Sequence, residues 1–239
     1  MNIREELKRR AADSAVKQVR SGMVLGLGSG KTVSYALQRL AKMLRTGKID
    51  AIWGVPSSIQ TEIQAQQLGI PLTSLDRRPI LDLTIDGADE VDPDLNLIKG
   101  GGGALLREKV LAQASRRTVF IVDQSKLSPR LGSHWALPVE VIHFAFKSIE
   151  NYLTSIGASV ELRQTGNGTL FRTDQNNLIL DANFGPIENA RELATKLADR
   201  AGIAAHGLFL NMADEVIVAE EHAVRHLRRS SQSATAPNP

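Results

Sequence analysis

Apolar residues recur along this chain at two spacings, and the places where one spacing gives way to the other divide it into elements. Leu7, Ala11, Ala15 and Val19 stand at helical intervals with Arg and Lys between them, and Ser21-Gly22 ends the run, which predicts an amphipathic helix over 3–19. A short apolar strand follows at 23–25, and Gly26-Leu-Gly-Ser-Gly-Lys-Thr32 turns the chain into a helix reaching about Met43. The order then repeats, with a strand at 51–55, Pro56-Ser-Ser58 as turn and cap, and a helix over 59–68 closed by Gly69. A strand ends at Asp86, a short apolar segment occupies 95–98, and a helix opens at Ala104 and runs to about Ala114. One more strand, at 118–122, closes in Asp123-Gln-Ser-Lys126. Strand, turn and helix in repetition predict an α/β fold, an open, mostly parallel sheet with helices on both faces.

Past Pro129 the spacing changes. Short strands are predicted at 139–141, 159–163, 169–172 and 178–181, with turns at Gly166-Asn-Gly168 and Asn176-Asn177 and helices over 144–156 and 187–201. This is the pattern of a smaller α+β domain, 131–205, inserted into an α/β catalytic domain that comprises 1–130 and a return at 206–227. Strands at 207–210 and 215–218 make that return. Residues 228–239 are read as a tail; its last ten lack large apolar side chains and are expected to be disordered.

Composition narrows the functional classes. The chain has 239 residues, 42% apolar and 23% charged, as soluble globular proteins do. Its formal charge of +3, from 29 basic against 26 acidic residues, is too small to argue for nucleic acid. The basic clusters Lys8-Arg-Arg10 and Arg225-His-Leu-Arg-Arg229 read as solvated helix faces, and there is no cysteine to supply a disulfide or thiolate. His222 and His226 have the i, i+4 spacing of helical metal ligands, but Arg225, Arg228 and Arg229 beside them would repel a cation. No apolar run suffices to span a membrane, and the amino terminus is polar and charged, so a cytoplasmic protein without membrane partners is expected.

The candidate chemistry collects where strands end, the ligand-binding edge of open α/β sheets. Asp86-Gly-Ala-Asp-Glu-Val-Asp92 holds four carboxylates, more than turn capping explains, because clustered carboxylates repel unless a proton, a metal or a cation compensates. Lys99 is the obvious cation; from the carboxylate count, magnesium is the other option. Gly100 to Gly103, ahead of a helix, are expected to form an anion or oxyanion cradle, including Gly100, Gly101 and Gly102. Glu108, one turn into that helix, is a candidate general base whose competing reading is a surface ion pair with Lys109 or Arg107. The turn at 26–32 fits neither a P-loop nor a dinucleotide fingerprint, yet Ser29, Gly30 and Thr32 at a helix start suit a small phosphate.

Taken together, Gly26-Leu-Gly-Ser-Gly-Lys-Thr32, Val55-Pro-Ser-Ser58, Asp86-Gly-Ala-Asp-Glu90, Lys99-Gly-Gly-Gly-Gly-Ala-Leu-Leu-Arg-Glu-Lys109 and Asp123-Gln-Ser-Lys126 resemble ribose-5-phosphate isomerase, type A, in order and spacing up to about Val218. The resemblance implies an aldose-ketose isomerase with no metal and no cofactor, acting on a sugar phosphate as a homodimer or homotetramer. It implies that Glu108 moves a proton between C1 and C2 through an enediolate, that Asp86 assists ring opening and proton transfer among the oxygens, and that Asp89 holds the sugar hydroxyls or the reacting end. Lys99 and the following amides would stabilise the developing charge, while Ser29, Thr32, Lys126 and Lys8 would hold sugar and phosphate. Two features depart from the family pattern: Lys31 stands where relatives carry a small residue, and the basic extension after His222 has no counterpart. The competing readings are a non-catalytic sugar-phosphate sensor, which would not need Glu108, and a coenzyme A transferase relative, which would use a glutamate nucleophile.

Overall fold

The computed structural model describes residues 3–229. The chain opens with helix α1 (Ile3–Val16), then β1 (Val24–Leu27), α2 (Lys31–Arg45), β2 (Trp53–Pro56) and α3 (Ile59–Gln67). Strands β3 (Leu83–Gly87), β4 (Glu90–Val91) and β5 (Leu97–Ile98) lead to α4 (Leu105–Gln113) and β6 (Thr118–Asp123). Next come β7 (Leu137–Val141), α5 (Phe146–Ser155), β8 (Ser159–Leu162), β9 (Leu178–Asn183), α6 (Ala190–Ala198) and β10 (Ile203–His206). The chain then returns through β11 (Leu208–Phe209), β12 (Glu215–Ala219) and β13 (Val224–Arg228).

The main sheet has the order β13-β12-β6-β3-β1-β2, parallel except for the antiparallel edge strand β13. Its strands alternate with period two. Leu25, Leu27, Leu83, Ile85, Val119, Ile121 and Ile217 face a core filled by α1, α2 and Ala65 of α3. Phe120, Val122, Val216 and Val218 face the other way, onto Ala112 of α4 and onto Leu97 and Phe209 of the small sheet β11-β5-β4. Because β2 lies on one side of β1 and β3 on the other, connections leaving β1 and β3 diverge and open a crevice at their carboxyl ends. The first helix is shorter than the periodicity predicts, and β1 runs two residues further, to Leu27, because Leu25 and Leu27 both enter the core. The cap on α3 is as predicted, with Thr61 N donating to Ser58 Oγ at 3.0 Å.

Residues 137–206 form a second, antiparallel sheet, order β10-β7-β9-β8, with its own core of Val139, Val141, Leu178 and Leu180 against Ile149, Leu153 and Leu197. Two expectations fail here and beyond. The strand predicted at 169–172 is only a turn-back of the chain, tied by Thr165 N to Thr169 O at 2.8 Å and Phe171 N to Arg163 O at 3.0 Å. The 207–210 segment makes its expected return to the first domain by pairing with β5 of the small sheet. The largest correction concerns His222 to Arg229, read as a helix face: it is the β12–β13 hairpin, and Arg228, assigned to the tail, is its last strand residue. His226 there binds Glu215 at 2.6 Å and Ser14 Oγ at 3.0 Å, while Arg10 Nη1 donates to the carbonyls of Glu220 and Glu221. Residues 230–239, the rest of the expected tail, lie outside the described residues.

Candidate active site

At the carboxyl end of β3 the period-two alternation turns Asp86 to the face of α4 and the small sheet, the face on which its register partner Phe120 also lies. Asp86 is 1% exposed, and it fits only because Gly28 has no side chain; a Cβ there would stand 2.3 Å from Asp86 Cγ. Its Oδ1 accepts from the amides of Gly87 at 2.7 Å and Ser29 at 3.1 Å. Its Oδ2 faces Lys99 Nζ at 3.0 Å. That ammonium also donates to Gly87 O at 2.6 Å and lies 3.2 Å from Glu108 Oε2. The rings of Phe120 and Phe209 enclose it, with centroids 5.7 and 5.5 Å away. Asp86, Lys99 and Glu108, from a strand end, a loop and a helix, are thus one buried cluster.

Glu108 does not pair with Arg107 or Lys109, the competing reading. Arg107 reaches Asp174 at 3.8 Å, and Lys109 donates to the carbonyls of His206 at 2.6 Å and Leu208 at 3.0 Å. Instead Ser29 Oγ donates to Glu108 Oε1 at 2.5 Å. Oε2 is buried with no hydrogen bond among the described residues, its neighbour being the Lys99 ammonium. Burial and then the Asp86 carboxylate push the Glu108 carboxyl up to about 7, against the opposing pull of Lys99 and Ser29. Burial lowers the affinity of Lys99 for its proton, but Asp86 and Glu108 override it and the proton is held more tightly than usual. A buried carboxylate near neutrality beside a fixed cation can take a proton from carbon and have the resulting negative charge received nearby.

Gly100 to Gly103 follow Lys99 directly. Gly100 and Gly103 take positive φ, 106° and 80°, and Gly103 N donates to Gly100 O at 3.0 Å, so the stretch curls before α4 begins. Gly101 N donates to Asp89 Oδ2 at 2.8 Å, which brings Asp89 to the rim of the same cleft. The other half of the acidic run does structural work. Glu90 accepts from the amides of Gly132 at 2.8 Å and His134 at 3.1 Å, and Asp92 accepts from Asn96 N at 2.8 Å. Among the described residues no group of three His, Asp or Glu side chains is arranged to hold a metal, and the position between Asp86 and Glu108 belongs to the Lys99 ammonium.

A cavity of about 260 Å³ runs beside Ser29 and Gly30, along Gly102 and Gly103, to Phe171 and Asp174 of the second sheet's loop. Thr32 lies in the first turn of α2, where helix amides and the turn at 28–30 suit an anion. Tyr35 of α2 donates to Glu5 of α1, and the charges of Lys8 and Lys31 both act on Glu5, so α1 delivers Lys8 beside the α2 start. Lys126, in the turn after β6, lies 4.8 Å from the Trp135 ring centroid, and that ring abuts Gly101. Among the described residues Lys8 and Lys126 make no hydrogen bond or ion pair with Asp86, Lys99 or Glu108, whereas Ser29 does. Nothing in the sequence marks Trp135 or Phe171, since neither stands in a motif and only the second sheet's approach sets them against Gly101 and Gly103.

Comparison with known proteins gives a consistent result. The profile of ribose 5-phosphate isomerase A (phosphoriboisomerase A) matches residues 53–223. The chain is 50% identical over 228 residues to the ribose-5-phosphate isomerase A of Desulfatibacillum aliphaticivorans, covering 95% of this chain and 99% of that protein. It is 52% identical over 226 residues to that of Chloroflexus aurantiacus, covering 95% of each. Its fold is similar to a solved D-ribose-5-phosphate isomerase in complex with phospho-erythronic acid, with TM-score 0.93 and 40% identity over 96% of this chain and all of that one.

Proposed function

The chain belongs to the ribose 5-phosphate isomerase A family, and from that premise we propose how its residues interconvert ribose 5-phosphate and ribulose 5-phosphate. Glu108 is the base. Its Oε2 takes the proton from C2 of the open-chain aldose and returns it to C1, passing through an enediolate whose charge sits on the C1 and C2 oxygens. The observation that carries this is the buried Oε2, without a hydrogen bond among the described residues and 3.2 Å from Lys99 Nζ. Lys99 and the amides of Gly100 and Gly102 receive the enediolate charge, the contribution expected to be largest in such chemistry, while that of Gly101 holds Asp89 beside the substrate. Asp86 assists ring opening and moves protons among the oxygens, and Asp89 holds hydroxyls. Ser29, Gly30, Thr32, Lys126 and Lys8 hold the sugar and its phosphate. A phosphorylated acid such as phospho-erythronic acid, which the solved relative binds, would place its carboxylate where the enediolate oxygens form.

Residues 131–205 act in this reading as a domain that closes the cleft; its support is the separate core and the approach of Phe171 to Gly103. A cytoplasmic homodimer or homotetramer belongs to the same reading and is supported by the family resemblance alone; light scattering of the purified protein measures it. The test of the reaction is turnover of ribose 5-phosphate by the purified protein in the presence of a chelator, with solvent deuterium followed into C1 and C2. Turnover with exchange at those carbons is expected. Activity that vanishes with the chelator, or hydride transfer without exchange, would sink this mechanism.

A further inference from the structure

The residue after β8, Arg163, reaches the rear of the glycine cradle. Its Nε donates to Asp181 Oδ2 on β9 at 2.8 Å, and Nη2 donates to the other oxygen of the same carboxylate. The remaining Nη1 donates to Gly100 O at 2.7 Å and to Gly101 O at 3.2 Å. The guanidinium carbon lies 5.9 Å from the Phe171 ring centroid, and that ring fills the space in front of Gly103, where a Cβ would stand 2.3 Å from it. The Arg163 backbone is fixed as well, its amide donating to Ile179 O at 2.9 Å and its carbonyl accepting from Phe171 N at 3.0 Å.

In a trans peptide the carbonyl and the following N–H point in opposite directions. With the carbonyls of Gly100 and Gly101 turned to Arg163, the amides of Gly101 and Gly102 must turn away from it. Gly101 N does so, donating to Asp89 Oδ2 at 2.8 Å. Within the run of glycines only the bond from Gly103 N to Gly100 O, at 3.0 Å, orients a peptide plane, because no side chain restricts φ and ψ there. The rest of the selection comes from outside the run, from Asp89 on Gly101 N and from Arg163 on the carbonyls of Gly100 and Gly101. A cation on the carbonyl oxygens also polarises those peptide groups, which strengthens their N–H groups as donors.

We propose that Arg163, anchored by Asp181, is a positioning residue for the isomerisation: it aims and polarises the amide of Gly102, which receives the enediolate charge, and that of Gly101, which holds Asp89 at the cleft. It touches no substrate and acts only through the peptide groups of the cradle. The inference rests on the proposed isomerisation through an enediolate, and wild-type turnover of ribose 5-phosphate with deuterium exchange tests that reading separately.

Arg163→Met should lower kcat about 100-fold, the cost of misplacing catalytic groups by about an ångström, while KM stays within roughly threefold. Inhibition by phospho-erythronic acid should weaken by at least about tenfold in the same variant, since in this reading its carboxylate takes the place of the enediolate oxygens. Arg163→Lys should fall between, since one ammonium lacks the planar fork that serves Asp181 and both carbonyls together. A cooperative thermal unfolding transition certifies that each variant is folded. If Arg163→Met does not fold, Asp181→Asn keeps the guanidinium and removes its anchor, with a kcat loss of about tenfold expected. The proposal is overturned by a folded variant whose kcat is within twofold of wild type, by a raised KM at unchanged kcat, or by unchanged affinity for phospho-erythronic acid.

Discussion

Two glutamates of this protein are buried to nearly the same degree, Glu108 at 5% and Glu215 at 0% exposure, and they differ in almost everything else. Glu215 opens β12, at the amino end of the parallel strands, and is surrounded by donors. It accepts from Gln18 Nε2 at 3.2 Å, from His226 Nδ1 at 2.6 Å, from Arg228 Nη2 at 3.2 Å and from Arg117. Burial alone would raise its carboxyl, but these donors outweigh it and hold the group below the usual carboxylate range. Glu108 lies at the carboxyl end of the same sheet with one hydroxyl donor and one shared ammonium, and it is raised to about 7. Depth of burial therefore does not decide what a carboxylate does. The number of donors decides: a saturated carboxylate is a structural anion, and an undersupplied one retains an appetite for a proton.

The comparison can be broken most directly at Glu108. Glu108→Gln should reduce kcat by about 1,000-fold, within the range for removing a general base, with KM changed only a few-fold. Steady-state kinetics measures both, and a variant retaining a tenth of wild-type kcat would remove Glu108 as base. Lys99→Met should cost about 100-fold in kcat. It should also move the acid limb of the rate profile to higher pH, because the ammonium is what draws the Glu108 carboxyl downwards.

On the other side, Glu215→Ala should leave kcat per folded molecule within about twofold and cost about 2–4 kcal/mol of stability, read from urea denaturation. A large kcat loss at unchanged stability would show that the two glutamates are not separable. The pH dependence sharpens the contrast through its sign. Because the folded form of Glu108 binds its proton more tightly than the unfolded chain, its contribution to stability falls as pH rises from 4.5 to about 7. Glu215 has a lowered folded value, so its contribution is present above 4.5 and is lost as pH falls through that lowered value. Stability curves of Glu108→Gln and Glu215→Gln against pH should therefore diverge from wild type in opposite senses. The smallest effect is expected for Ser29→Ala: roughly a tenfold loss in kcat/KM with the acid limb shifted upward, since the serine hydroxyl favours the charged form of Glu108.

Much of this contrast was legible in the residues before any fold was known. The Asp86 to Asp92 run announced itself by charge, the four glycines by their entropic cost, and the strand ends by the switch from apolar to polar. Glu215 carried no such signal. Ala213-Asp-Glu-Val216 reads much like Ala88-Asp-Glu-Val91, and His226 and Arg228, its partners, stood at spacings that suggested a helix. A hairpin across β12 and β13 reverses that reading, because pairing places His226 opposite Ile217 and Arg228 opposite Glu215. Local spacing cannot distinguish a charged helix face from an edge strand whose partner supplies the complementary charge.

By itself the sequence determined which chemistry was available: glycine turns at helix starts, a carboxylate and lysine cluster at strand ends, and motifs that placed the chain in an isomerase family. These are properties of short stretches, where side-chain size, charge and backbone freedom act within a few bonds. Only the tertiary structure decided how the charges divide. Asp86 and Glu108 share Lys99, while Glu90 and Asp92, from the same run, fasten loops. It also decided that Arg163, 63 residues from Gly100, reaches the back of the cradle. The physical reason is that desolvation and donor count depend on which distant segments pack together, and neither is encoded within any one stretch.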